Sequence, residues 1–244
     1  MDKDYGLGYR ELFENHWWWR AREDVIVEIL RRFRPPDGWR AILDVGCGDG
    51  LFFDRLAEFG EVIEGVEPAA ELVTQSDERR GTIYITRFDE SFQPEREYSL
   101  ILMLDVLEHL PKPVEALRRV TGLLEPGGLF IATVPAFPIL WTRHDDVNHH
   151  FIRYTKKTFG EAARAAGLLV AHQEYFFHWT FPAKLLLRAA ERVLPSGDAV
   201  EKVPAPWINS TLLRLSRLER SVFRGFPPFG SSLIAACHTE AAGE

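Results

Sequence analysis

Cysteine is scarce in this chain. Cys47 and Cys237 are the only two, too few for a disulfide framework or a zinc site built on thiolates. No apolar run approaches the roughly 20 residues that a membrane-spanning helix needs. Residues 1–10 are polar with no apolar core behind them, so a secretory signal is not expected either. Positive charge is also short. The net charge is −7 and no long basic run occurs, which argues against a nucleic-acid backbone as partner. What remains is 244 residues, enough for one substantial core and read as one elaborated domain of a cytoplasmic protein. Seven Trp and 17 Phe are more than packing such a domain asks, and they gather outside its glycine-rich half.

That glycine-rich half centres on residues 41–50. Ala41–Val45 is a short apolar run of the kind that forms a strand buried on both faces of a parallel sheet. Gly46, Gly48 and Gly50 follow at once, and Leu51–Phe59 reads as an amphipathic helix. A strand that enters a glycine-rich turn and leaves as a helix is a nucleotide-binding device. Glycine lets the backbone approach a ligand closely, and the helix N-terminus presents free N–H groups. The dinucleotide fingerprint would want its third glycine at position 51, where this chain has Leu51. Asp44, at the strand end, suits a cationic ligand better than a pyrophosphate. About 20 residues on, Glu67 follows a second apolar run, Val62–Val66, placed to hold both ribose hydroxyls of an adenosine.

Here the residues resemble the class I S-adenosylmethionine (SAM)-dependent methyltransferases, in a bacterial type 11/12-like subgroup. The first motif of that family has the form of Leu43-Asp44-Val45-Gly46-Cys47-Gly48-Asp49-Gly50. Asp105-Val106-Leu107-Glu108-His109-Leu110 and Leu124-Glu125-Pro126-Gly127-Gly128 look like its fourth- and fifth-strand signatures, so the match runs in order over residues 41–136. The resemblance implies a doubly wound, Rossmann-like α/β sheet of seven strands in the order 3-2-1-4-5-7-6. It implies SAM as methyl donor and S-adenosylhomocysteine (SAH) as product, lying across the carboxyl ends of strands one, two and four. The cofactor-binding residues it implies are Asp44, Gly46, Cys47, Gly48, Glu67, Phe88, Asp89, Leu104 and Asp105, with an apolar side chain such as Phe88 against the adenine and an acid on its amino group, for which Asp89-Glu90-Ser91 offers more than one candidate. Two alternatives stay open: an NAD-binding oxidoreductase, and a non-catalytic protein that binds SAM or a partner.

Around this core the sequence divides into an N-terminal lid and helix (1–38), core segments (39–177 and 230–240) and a helical insertion (178–229). In the lid, Trp17, Trp18 and Trp19 precede a helix over Glu23–Phe33, and Arg20 or Arg22 is placed to reach the cofactor's methionine carboxylate. A short helix is expected over Ala69–Asp77, and strands over Thr82–Arg87, Tyr98–Leu104, Leu129–Val134 and Leu168–Phe177, with Ser231–Thr239 as the antiparallel seventh. The loop over Pro135–Tyr154 carries the densest chemistry. His144 and His150, with His109 from the fourth-strand motif, are candidate bases; Arg153 is a candidate anion fork, with Tyr154 beside it. No metal is expected, because methyl transfer needs none and no cysteine or further carboxylate cluster completes a ligand set. The insertion reads as helices over Pro182–Val193 and Asn209–Phe223. Arg214, Arg217, Arg220 and Arg224 flank a leucine face near a cluster of aromatics. That combination points to a small-molecule or amphiphilic acceptor, lipid-linked or of natural-product type, and to contact with an anionic membrane surface. The methylated atom (O, N or C) and the oligomeric state stay open.

Overall fold

The apolar run before the glycine turn forms the middle of the sheet. In the computed structural model, which describes residues 10–73, 82–191, 202–223 and 228–239, β1 (Trp39–Val45) pairs in parallel with β2 (Gly60–Val66) and β4 (Tyr98–Leu104). β3 (Thr82–Tyr84) extends the sheet beyond β2, and β5 (Leu124–Pro135) extends it beyond β4, both in parallel. β7 (Ser232–His238) runs antiparallel between β5 and β6 (Leu169–Phe176). The order is 3-2-1-4-5-7-6, as the sequence implied.

Successive side chains of a strand point to opposite faces, and here both faces are covered. Ile42, Leu100 and Leu102 join one core layer, with Val25, Ile26 and Ile29 of α1 (Trp17–Phe33) and Leu213 of α7 (Pro206–Phe223). Leu43, Ile101 and Met103 join the other, with Leu117 and Val120 of α3 (Pro113–Leu123) and Phe159 of α5 (Lys156–Ala165). Central strands that read as unbroken apolar runs are the consequence. α5 is capped by a reciprocal pair of threonines. Thr155 accepts from the Thr158 N–H (3.1 Å), and the Thr158 hydroxyl accepts in return from the Thr155 N–H (2.9 Å).

The three consecutive tryptophans extend α1 to Trp17, ahead of the expected start at Glu23. The His16 side chain caps it by accepting from the Trp18 N–H. Trp17 packs edge-on to Phe177 at 5.9 Å and beside Trp179 at 5.3 Å, while Trp19 is buried. The helical insertion then docks on α1 through polar contacts. Asn209 accepts from the Trp17 N–H (2.8 Å) and donates to the Asn15 carbonyl (2.8 Å), and Arg217 and Arg220 pair with Asp24 (2.7 Å) and Glu28 (2.8 Å). α6 (Thr180–Glu191) supplies the insertion's other described helix.

Other boundaries also differ from the sequence reading for local reasons. The helix after the glycine turn is a single turn, α2 (Phe53–Leu56), because the chain must enter β2 at Gly60. β3 stops at Tyr84, where the Thr86 N–H turns back to the Tyr84 carbonyl (3.0 Å). β5 begins at Leu124 instead of Leu129: Leu124 pairs with Tyr98, and the Pro126–Gly127 stretch is absorbed as an irregularity in the ladder. Residues 69–73 form turns where a helix over Ala69–Asp77 was expected, and the remainder of that span lies outside the described residues, as do Arg224 and most of the 195–206 linker.

Candidate active site

The carboxyl ends of the parallel strands open onto one cavity of about 1640 Å³. Gly46 and Gly48 follow β1, Glu67 follows β2, Leu104 and Asp105 end β4, and Pro135 ends β5; all six line it. Phe88 and Asp89 line it from the segment after β3, and Thr180, Lys184 and Leu187 of α6 border it from the insertion. This edge is where open α/β sheets place their ligands.

The glycine turn is shaped for close approach. Gly46 has φ +75°, and a Cβ there would lie 2.6 Å from the Val106 side chain. Its N–H is held by the Val66 carbonyl at 2.7 Å. Gly48 has φ +55° with nothing within 4 Å of a Cβ, so its surroundings are open. Glu67 fixes the turn: its carboxylate accepts from the Gly48 N–H (3.0 Å) and the Ala69 N–H (2.9 Å). Burial raises the Glu67 pKa even against those two bonds. Asp44 lies behind the lining, 3% exposed, and desolvation pushes its pKa to about 7 although Arg22 lowers it. Cys47 is also behind the lining. Its Sγ occupies the space beside Gly65, where a Cβ would come within 2.4 Å of it; it is a packing residue of the turn.

Of the two α1 arginines expected to reach the cofactor, Arg22 is the buried one. Its guanidinium pairs with Asp105 at 2.6 Å, bonds Thr133 Oγ1 at 3.3 Å and lies over the rings of Trp18 and Trp19. Arg20 is exposed, and neither arginine is among the cavity-lining residues. A different N-terminal cation reaches the cavity: Arg10, which pairs with Asp49 of the glycine turn. The reading of the sequence missed it, since nothing in residues 10–15 marks one arginine out. Asp105 itself holds a left-handed backbone, φ +59°, with its N–H on the Thr133 carbonyl (3.0 Å), and such conformations in non-glycine residues concentrate at functional sites.

The histidine cluster is assembled by two segments distant in sequence. The turn Leu107–His109 supplies His109, and the loop after α4 (Arg143–Val147) supplies His150, with ring centroids 4.7 Å apart. The His144 ring lies 6.3 Å from that of His150. All three line the cavity. The Phe151 N–H donates to the Glu108 carbonyl (2.7 Å) and ties the two segments together. His109 is exposed by area, yet desolvation by the surrounding wall, with His150 second, lowers its pKa to about 4; its imidazole is neutral at pH 7. His150 is held by Asp145, Nδ1 to Oδ1 at 2.8 Å.

Arg153 lines the cavity but its fork is spent inside the protein. Nε and Nη2 each reach Asp145 at 2.8 Å, and Nη1 donates to the Ala136 carbonyl (3.1 Å). Both residues are buried, at 2% and 0% exposure. Burial alone would raise the Asp145 carboxyl; bonds from His150 and Arg153 hold it well below the usual carboxylate range. Arg153 therefore braces the loop rather than offering a free anion fork. Tyr154 is buried beside Phe159, outside the cavity lining, and burial raises its hydroxyl pKa. Glu108 and Asp145 are the carboxylates on which this cluster depends, and sequence reasoning gave neither a role. Adjacency to His109 was the only signal for Glu108.

On the insertion, Arg220 pairs with Glu174 (2.5 Å) as well as Glu28, and Arg217 with Asp24. The arginine face that suggested an anionic surface is thus partly neutralised by acids of the same chain. Among the described residues no helix is long and apolar enough to cross a membrane.

A family model described as a methyltransferase domain matches residues 18–173. Two curated relatives are named ubiquinone biosynthesis O-methyltransferase. That of Hydrogenovibrio crunogenus is 26% identical over 136 residues, 49% of this chain and 56% of that protein. That of Xanthomonas axonopodis pv. citri is 29% identical over 144 residues, 51% and 58%. The chain spans little more than half the length of these relatives. Among solved structures, a methyltransferase in complex with the Haloferax volcanii Trm112 methyltransferase activator aligns with a TM-score of 0.63 at 18% identity, covering 98% of this chain and 97% of that one. The N-methyltransferase NodS of Bradyrhizobium japonicum, in complex with SAH, aligns at 0.56 and 13% identity, covering 94% and 90%.

Proposed function

The chain belongs to the methyltransferase-domain family, and from that premise we propose that it transfers the methyl group of SAM to a hydroxyl oxygen of a small-molecule acceptor. The observation that carries this reading is the single cavity lined by Gly46, Gly48, Glu67, Leu104 and Asp105 at the carboxyl ends of β1, β2 and β4. The residues fit the donor. A Cβ at Gly46 would strike Val106, so the turn tolerates only glycine where the backbone must come close. The nearby carboxyls of Asp44, Glu67 and Asp105 suit a molecule bearing a sulfonium and an ammonium. Glu67 would hold the ribose hydroxyls, Phe88 and Asp89 the adenine, and Gly46, Gly48 and Asp105 the amino-acid end.

When bound, SAM supplies an activated methyl group on a positively charged sulfur. The protein's share is alignment and proton handling, and alignment alone accounts for much of such a rate. Trp17, Trp18 and Trp19 from the lid and Thr180 and Leu187 from α6 wall the cavity, giving an acceptor with an apolar body a surface to lie on. His150, steered by Asp145, and His109 beside it line the cavity where a hydroxyl proton can be received. The choice of oxygen over nitrogen leans on the curated relatives, which are named as O-methyltransferases. An amphiphilic acceptor keeps the support of that apolar lining, and of exposed Leu186, Trp207 and Leu218 on the insertion. Cytoplasmic residence is part of the same proposal.

The test is transfer of a radiolabelled methyl group from SAM to a panel of phenols, catechols and amines, with short- and long-tailed versions of each. Label in an aryl or alkyl ether is expected. Label recovered only in amines contradicts the oxygen assignment, and NADH binding without SAM binding contradicts the whole reading.

A further inference from the structure

We propose that Glu108, His109 and His150 form a binding site for a divalent transition-metal cation of the zinc or cobalt type. One ligand atom from each of the three lies within 4.8 Å of the others, a separation that small side-chain rotations close around an ion with bonds of about 2.0–2.2 Å.

Two features distinguish this cluster from a chance meeting of polar groups. Glu108 is 1% exposed, lines the cavity, and its Oε2 has no hydrogen-bond partner among the described residues. A buried carboxylate oxygen without a donor is costly unless a cation meets it. The guanidiniums within electrostatic reach, Arg22 and Arg153, are already engaged by Asp105 and Asp145. His150 is the second feature. Its Nδ1 is bound to the Asp145 carboxylate (2.8 Å) and its main-chain N–H to the Asp145 carbonyl (2.9 Å), which leaves Nε2 as the ring's available donor atom. A metal-bound histidine commonly hands its other ring N–H to a carboxylate in this way, which fixes tautomer and orientation. Two imidazoles and one carboxylate are the protein ligands of catalytic zinc sites that keep a position open. Imidazole donors favour zinc and its neighbours over magnesium or calcium.

The use of the ion rests on the methyl-transfer reading above. An acceptor hydroxyl entering the open position loses its proton to water at a lowered pKa. Its oxygen lone pair then forms the O–CH₃ bond as the S–CH₃ bond of SAM breaks, and the electrons of the broken bond return to sulfur. The sulfonium becomes a neutral thioether, and the cation keeps its oxidation state. In this arrangement His109 and His150 act as ligands, and the cation takes over the work of a base.

Cobalt is the probe. Wild-type protein is dialysed against a chelator and titrated with Co²⁺, read by visible absorption and calorimetry, with SAH titrated into parallel samples. One equivalent of Co²⁺ with ligand-field bands, displaced by Zn²⁺, is expected. Glu108→Gln and His109→Ala should each weaken uptake roughly 10-fold or more while SAH affinity and thermal unfolding hold. Absence of saturable uptake by the wild type overturns the proposal, as does uptake that both variants retain. A wild type that takes up Co²⁺ but not SAH supports the cation site and contradicts the methyl-transfer reading, so the two fail separately.

Discussion

Arg153→Ala separates a bracing role from a substrate-binding one. In the folded protein the Asp145 carboxylate, 0% exposed, takes two bonds from Arg153 and one each from His150 and the Thr142 N–H. Removing the guanidinium strands a buried negative charge, a change that costs about 3–5 kcal/mol in buried pairs. The Ala136 carbonyl also loses its donor. For a chain of this size each kcal/mol lowers Tm by about 2–4 °C, so the expected drop is roughly 6–20 °C. Denaturant unfolding and differential scanning calorimetry read it directly. The sign with pH follows from Asp145. Its folded pKa is depressed, so the stabilisation is present above the unfolded carboxylate value and fades as pH falls below it, and the gap between wild type and variant should narrow in acid. Replacing Asp145 as well, in Asp145→Leu/Arg153→Met, should recover much of the loss, because both charges leave together. An Arg153→Ala protein with wild-type Tm and a selective loss of anionic-acceptor affinity would refute the bracing role.

Asp44→Asn should stabilise the ligand-free protein. The folded pKa of Asp44 is raised to about 7 from 3.8, so its contribution is intact below pH about 4 and is lost as pH rises toward 7, by up to about 4 kcal/mol. Unfolding free energies measured from pH 4 to 8 should fall more steeply for wild type than for Asp44→Asn, and parallel curves would contradict the burial argument. Gly46→Val should abolish SAH binding, since its Cβ meets Val106 at 2.6 Å and the residue must hold φ +75°; calorimetry that finds wild-type affinity would remove the glycine turn from the donor site. Glu67→Ala should weaken SAH by on the order of 1.5–3 kcal/mol, roughly ten- to hundredfold, with an added loss of order in the turn whose Gly48 N–H it holds.

The sheet was legible because its chemistry is local. Ala41–Val45 and Tyr98–Leu104 announce buried parallel strands by composition, and Gly46, Gly48 and Glu67 sit at spacings that the nucleotide-binding turn dictates. The strand order came with the family resemblance and stands in the observed pairing. What escaped the sequence was partnership across distance. Arg20 and Arg22 lie two residues apart, on opposite sides of α1, and only the packing of that helix decides that Arg22 turns inward to meet Asp105. Arg153 looked like a free fork because its partner, Asp145, lies in the same loop among several polar residues that nothing local ranks. Glu108, His109 and His150 become one cluster only when the 107–109 turn and the 142–153 loop are folded together. The arginines of α7 suggested an anionic surface in isolation, whereas Asp24, Glu28 and Glu174 come from elements far away in the chain.

Titration calorimetry of the wild-type protein with SAH tests the central claim most directly, since every role assigned to the strand ends depends on that molecule occupying the cavity. The account predicts one equivalent bound, displaced by SAM and unaffected by NADH. Saturable binding of NADH with no heat from SAH would contradict it.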